Sequence, residues 1–116
     1  MLRCIPVNVL FVCSRNKKRS PTAEFIFSNL EGVNVLSAGT SVDAETPISA
    51  DLVEWADLIL AMENVHRKRI QERFGSSLRN KTIAVLGIRD ECENGDDELV
   101  RQLRQAVTPY LRSDGP

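Results

Sequence analysis

"VNVLFVCSRNKKRSPTAEF", residues 7–25, joins an apolar run, a basic loop and the start of a helix. Residues 7–12 are β-branched or apolar apart from Asn8, the pattern of a strand buried on both faces. After the loop, Ser20 can cap a helix and Pro21 fits its first position. Ala23, Ile26, Phe27 and Leu30 then fall at i, i+3, i+4 and i+7, an apolar stripe that can cover a sheet. Between strand and helix lies "CSRNKKRS", with Cys13 and Arg19 six places apart. A strand, a tight loop and a helix N-terminus in that order can gather successive backbone N–H groups around one point, and the helix dipole adds positive potential. The stretch predicts an anion cradle at the end of a central strand.

Working outward, Gly32 stops the first helix and "VNVLSAG" (33–39) supplies a second strand. A polar connection with Pro47 leads to a short helix over roughly 49–56, capped by Ser49 or a neighbour. "DLILAM" (57–62) is a third strand, "NVHRKRIQERF" (64–74) a helix stopped by Gly75, and "TIAVLGI" (82–88) a fourth strand. The last helix begins near Asp96 and carries Leu99, Leu103, Ala106 and Val107 on one face, with Pro109 limiting it. Strand and helix alternation predicts a parallel α/β organisation. Right-handed crossovers then place the loops after the strands' C-terminal ends on one edge, where open α/β folds bind ligands.

A chain of 116 residues suits one domain, 1–116, and contains no stretch of membrane-spanning length. The apolar run near the N-terminus carries Asn8, ends in a basic cluster and has no small-residue cleavage site, so it reads as a strand and not a leader. Cys4, Cys13 and Cys92 are odd in number and widely spaced, which argues against a disulfide framework or a zinc site and fits a reducing cytoplasm. A net charge of −1 gives no general attraction for nucleic acid, so the basic run Arg15, Lys17, Lys18 and Arg19 is a local feature. His66, in a highly charged helical stretch, is expected on a solvated face without a chemical role.

A cysteine at the first position of an anion loop sits beneath the anion, where the same amides favour a thiolate nucleophile. The planar fork of Arg19 can hold two anion oxygens and follow the charge as a phosphoryl group transfers. Ser20 can give the sulfur a hydroxyl hydrogen bond, and Asn16 tolerates the left-handed angles of a tight loop.

Cys13-x5-Arg19-Ser20-Pro21 after "VLFV" resembles the phosphate-binding loop of the low-molecular-weight protein tyrosine phosphatases. "TAEFIF", "SAGT" (37–40), "ADLILAM" (56–62) followed by His66, and "DECENGDDELV" (90–100) occur in the order that family shows. The resemblance implies a three-layer α/β/α fold with a four-stranded parallel sheet and the phosphate-binding loop after the first strand. It also implies a hydrolysis through a cysteinyl-phosphate that needs neither metal nor cofactor. Cys13 would be the nucleophile, Arg19 the phosphoryl clamp and Asp96 the general acid, with Ser14, Arg15, Asn16, Lys17, Lys18, Arg19 and Ser20 forming the substrate-binding loop. Family members follow that aspartate with proline, whereas here Asp97 follows, so Asp97 and Asp90 stand beside Asp96 as candidates. Arg15 replaces a usual glycine, and Lys18 a frequent second cysteine that would protect Cys13 as a disulfide partner. Trp55 and the 41–48 segment are the candidates for walls of the mouth.

The expected substrate is a phosphotyrosine protein or a small phosphomonoester in the cytoplasm, with neither nucleic acid nor membrane as partner. Two other readings share the loop. An arsenate reductase would require an external thiol, because Cys92 is the one cysteine in the later chain. A non-catalytic module would hold a phosphorylated partner without turnover.

Overall fold

Along β1 (Val7–Cys13) the side chains alternate between two separate cores. Val9, Phe11 and Cys13 join one core, while Leu10 and Val12 join the other, as the two-residue period of a strand requires. The computed structural model describes residues 7–16, 19–30, 32–79, 81–88 and 95–111, without the side chains of 95 and 96.

β1 is followed by α1 (Arg19–Phe27), β2 (Val33–Gly39), α2 (Ala50–Trp55), β3 (Leu58–Ala61), α3 (Asn64–Phe74), β4 (Thr82–Val85) and α4 (Gly95–Leu111). The four strands form one parallel sheet in the order β2-β1-β3-β4. Ala23 and Phe27 of α1 and Leu99, Leu103 and Val107 of α4 cover one face, and Phe11 stacks on Phe27 with ring centroids 5.9 Å apart. Val53 of α2 and Ile70 of α3 cover the other face with Ile48 and Ala56. The result is the three-layer α/β/α architecture around a four-stranded sheet. Each fully buried aliphatic or aromatic side chain contributes about 1.5–3 kcal/mol, so β1, buried from Val9 to Cys13, is the structural centre. Among the described residues no helix is long and apolar enough to cross a membrane.

Several local expectations change. Ser20 lies inside α1 and does not cap it; its hydroxyl is committed to the site described below. α1 ends at Phe27, leaving Leu30 44% exposed, and Gly32 at φ +78° turns the chain into β2. Gly75 is right-handed at φ −50° and leads into a 3-10 turn, Gly75–Leu78, so the chain tightens there before it turns. β4 is shorter than 82–88 because Gly87 adopts φ +74°, although Leu86 and Ile88 still donate to Ala61 and Met62. Pro109 lies within α4, where its position in the last turn limits the loss of backbone bonding. Ser49 does cap α2, accepting the Leu52 amide at 3.3 Å.

Candidate active site

The strand order makes β1 the point where the connections diverge, to β2 on one side and β3 on the other, and Cys13 is its last residue. The loop that leaves Cys13 lies against the 40–45 segment. Cys13 O accepts the Thr40 amide at 2.9 Å, Ser14 O the Ser41 amide at 2.9 Å, and Arg15 O the Glu45 amide at 3.1 Å. In a planar trans peptide, the N–H points opposite the carbonyl that precedes it. Three carbonyls turned outward therefore turn the amides of Ser14, Arg15 and Asn16 toward the loop interior. The Asn16 amide indeed donates to Cys13 Sγ at 3.2 Å.

Asn16 is the one described non-glycine residue at positive φ, 58°, the left-handed turn its side chain tolerates. Its Nδ2 donates to Ser20 Oγ and to Ser37 Oγ, each at 2.9 Å, and Ser37 Oγ donates to Glu24 Oε1 at 2.6 Å. These buried bonds hold the strained residue in place. Arg15 is exposed and outside the left-handed region, so its side chain is accommodated without strain.

Cys13 is 3% exposed and its sulfur lies 3.0 Å from Ser20 Oγ, which also stands 3.3 Å from Ala38 O. Ser20 has one hydroxyl hydrogen. With a thiol at Cys13, the S–H can donate to Ser20 while Ser20 donates to Ala38 O. With a thiolate, the hydroxyl hydrogen turns to the sulfur, which then accepts from both Ser20 and the Asn16 amide.

Arg19 is 6% exposed, and its Nη1 donates to Glu63 Oε1 and to Ile88 O, both at 2.9 Å. Glu63 precedes α3 and Ile88 follows β4, so the guanidinium is tied to the loops after two other strands. His66 corrects the expectation of a solvated side chain: it is fully buried, with Nε2 2.9 Å from Ser14 Oγ and Nδ1 accepting the Glu63 amide at 3.0 Å. Neither Glu63 nor His66 was singled out for the site from sequence. The available signal was an acid followed three places later by a hydrogen-bonding ring at a strand-to-helix junction, a capping pattern.

Cys13, Asn16 and Ser20 are thus joined directly, while Ser14 meets His66 and Arg19 is tied to the same turn through Glu63, whose amide donates to His66. Lys17, Lys18 and Asp90 lie outside the described residues. Asp96 falls in the first turn of α4, its side chain outside the description, and Asp97 beside it is exposed. The 41–48 segment borders the loop, whereas Trp55 packs on the second core and accepts from Asn8 at the opposite edge of the sheet. Cys4 and Cys92 lie outside the described residues.

Gly39 pairs with Cys13 and is the contact point between loop and sheet. A Cβ there would lie 2.6 Å from both Ser14 O and Ala44 Cβ. Gly39→Ala is therefore expected to cost about 1–3 kcal/mol of stability and to reduce turnover by displacing the loop. Thermal melting alongside steady-state kinetics checks this, and unchanged values for both would show that the backbone can move aside freely.

A thiol beneath inward amides, in a loop that also carries a buried guanidinium at the divergence point of a parallel sheet, is a candidate nucleophile in a candidate oxyanion site. No family model matches the chain. A protein-arginine-phosphatase of Bacillus subtilis is 34% identical over 91% of this chain and 93% of its own length. A solution structure of a low molecular weight protein tyrosine phosphatase from Bacillus subtilis superposes with TM-score 0.68 and 27% identity, covering 87% of this chain and 95% of that one. A mutant of the YwlE arginine phosphatase with a phosphorylated active-site serine gives TM-score 0.66 and 26% identity over 92% of this chain and 98% of that one. The chain belongs to the low-molecular-weight protein tyrosine phosphatase family. It is a cysteine-dependent phosphatase.

Proposed function

We propose that the protein removes phosphoryl groups from protein side chains in the cytoplasm, with Cys13 as nucleophile. The observation that carries this reading is the sulfur's position, 3.2 Å from the Asn16 amide and 3.0 Å from Ser20 Oγ, at the centre of the loop. The thiolate attacks phosphorus and the bond from phosphorus to the leaving atom breaks. Loop amides from Ser14 to Arg19, with the Arg19 guanidinium, take the charge on the equatorial oxygens. Arg15, Lys17 and Lys18 add positive charge to this binding loop. Asp96 gives its proton to the leaving atom, then as carboxylate takes one from the water that attacks the cysteinyl-phosphate and releases inorganic phosphate. Asp97 and Asp90 are the alternative acids. A reducing compartment keeps the nucleophile as a free thiol.

Phosphoarginine is the side chain we assign, because the curated relative matched over nearly its whole length bears that activity in its name. Trp55, the aromatic candidate for a wall, stands at the far edge of the sheet, which is consistent with a substrate needing no aromatic stacking. Phosphotyrosine is the second reading, supported by the name of the solved neighbour. Purified, reduced protein assayed on matched peptides is expected to favour phosphoarginine by about tenfold or more in kcat/KM, a difference of roughly 1.4 kcal/mol in transition-state binding. A preference for phosphotyrosine would reverse the assignment. Phosphate binding without turnover of either would support a non-catalytic module instead.

A further inference from the structure

We infer that His66 is a positioning residue for the phosphatase reaction, holding the loop through Ser14 as a neutral ring with its proton on Nε2. The tautomer follows from the partners. A backbone N–H can only donate, so the Glu63 amide, 3.0 Å from Nδ1, requires a lone pair there. The proton of the neutral ring is then on Nε2, which donates to Ser14 Oγ at 2.9 Å.

Ser14 directly follows the nucleophile and is held from two sides. The 40–45 segment takes its carbonyl through the Ser41 amide at 2.9 Å, and α3 takes its hydroxyl through His66. With Oγ accepting from the ring, the Ser14 hydroxyl hydrogen is directed away from α3. The same turn carries Glu63, whose carboxylate holds Arg19. One turn at the start of α3 therefore sets both the first residue beyond the sulfur and the guanidinium across the loop. A fully buried imidazole is costly to desolvate unless its nitrogens are bonded, and the two named bonds use both.

This inference rests on the loop being the phosphoryl site, and its test is a double-mutant cycle of His66→Ala and Ser14→Ala, read in kcat and KM on an aryl phosphate. Melting and inhibition by inorganic phosphate are measured on each protein. His66→Ala is expected to lower kcat by about 10- to 100-fold with KM within about threefold, since a displaced loop is misaligned for the transition state more than for the ground state. In the Ser14→Ala background the same change is expected to cost less than about threefold, because its partner is already gone. His66→Gln, with an acceptor and a donor on one amide, is expected to recover most of the loss.

Equal losses in both backgrounds, or no loss, overturn the inference. Should His66→Ala fail to fold, Ser14→Ala decides: a kcat within about threefold of the parent overturns the inference, and a loss of about tenfold or more with unchanged melting supports it. A parent protein that binds phosphate without turnover would fault the catalytic reading separately. The cycle is then read in phosphate affinity, where coupling between the two positions supports the inference and additivity overturns it.

Discussion

Replacing Cys13 by serine is expected to lower turnover of an aryl phosphate by on the order of 10⁴-fold or more while leaving inorganic phosphate able to bind. The two effects separate because different groups carry them. Serine presents a shorter side chain and a hydroxyl that remains protonated at neutral pH, so the attacking pair is lost. The inward amides depend on carbonyls held by Thr40, Ser41 and Glu45, none of which involves the sulfur. Steady-state kinetics and competitive inhibition by phosphate, measured on one preparation of each protein, report the two properties independently. An aryl phosphate reduces dependence on the general acid, so the loss can be assigned to the nucleophile. Residual activity of several per cent would mean that the serine hydroxyl or another group attacks phosphorus effectively. A loss of phosphate inhibition with intact melting would mean that the sulfur organises the loop as well.

Arg19→Lys is expected to lower kcat by on the order of 10³-fold despite keeping the charge. Nη1 of Arg19 is already engaged by Glu63 and Ile88 O, each at 2.9 Å, which orients the plane of the guanidinium. An ammonium group has no second edge, so a lysine that satisfied those two acceptors could not also present a bidentate fork to the phosphoryl oxygens. The stability change is expected to be smaller than the kinetic one, because the Glu63 side chain is 37% exposed and water can replace part of what it loses. Melting together with kcat on the aryl phosphate separates these contributions. A kcat within about tenfold of the parent would show that positive charge alone suffices.

The parts of this molecule legible in sequence are those whose causes are local. β1 and β2 match runs of β-branched and apolar residues, and α3 occupies 64–74 as expected. Cys13, Arg19, Asn16 and Ser20 were legible as candidates because one loop carries them all. Glu63 and His66 were not, since their partners lie 44 and 52 positions away and reach them only when β3 is laid beside β1. The charged composition of α3 pointed to water, and Asn64 and Val65 do face it, yet His66 in the same turn is buried with its ring against Ser14. Ser20 was read both as a helix cap and as a partner of the sulfur; the structure keeps the second and places the residue inside α1. Gly39 entered the sequence reading only as the last residue of the second strand, and it is the approach of Ser14 and Ala44 that excludes a side chain there.

The nearly complete enclosure of Cys13 bears on how this thiol meets the chemistry of its surroundings. A side chain counted with Phe11 and Leu103 in a hydrophobic core is ordinarily inert. Here the sulfur also accepts the Asn16 amide at 3.2 Å and stands 3.0 Å from Ser20 Oγ, so on the proposed reading admission depends on shape and charge before intrinsic reactivity matters. A bulky neutral electrophile would meet an enclosed side chain, whereas a compact oxyanion would find a backbone donor beside the sulfur. As the proposed nucleophile, Cys13 would be shielded from other electrophiles by the same enclosure that its substrate must fit.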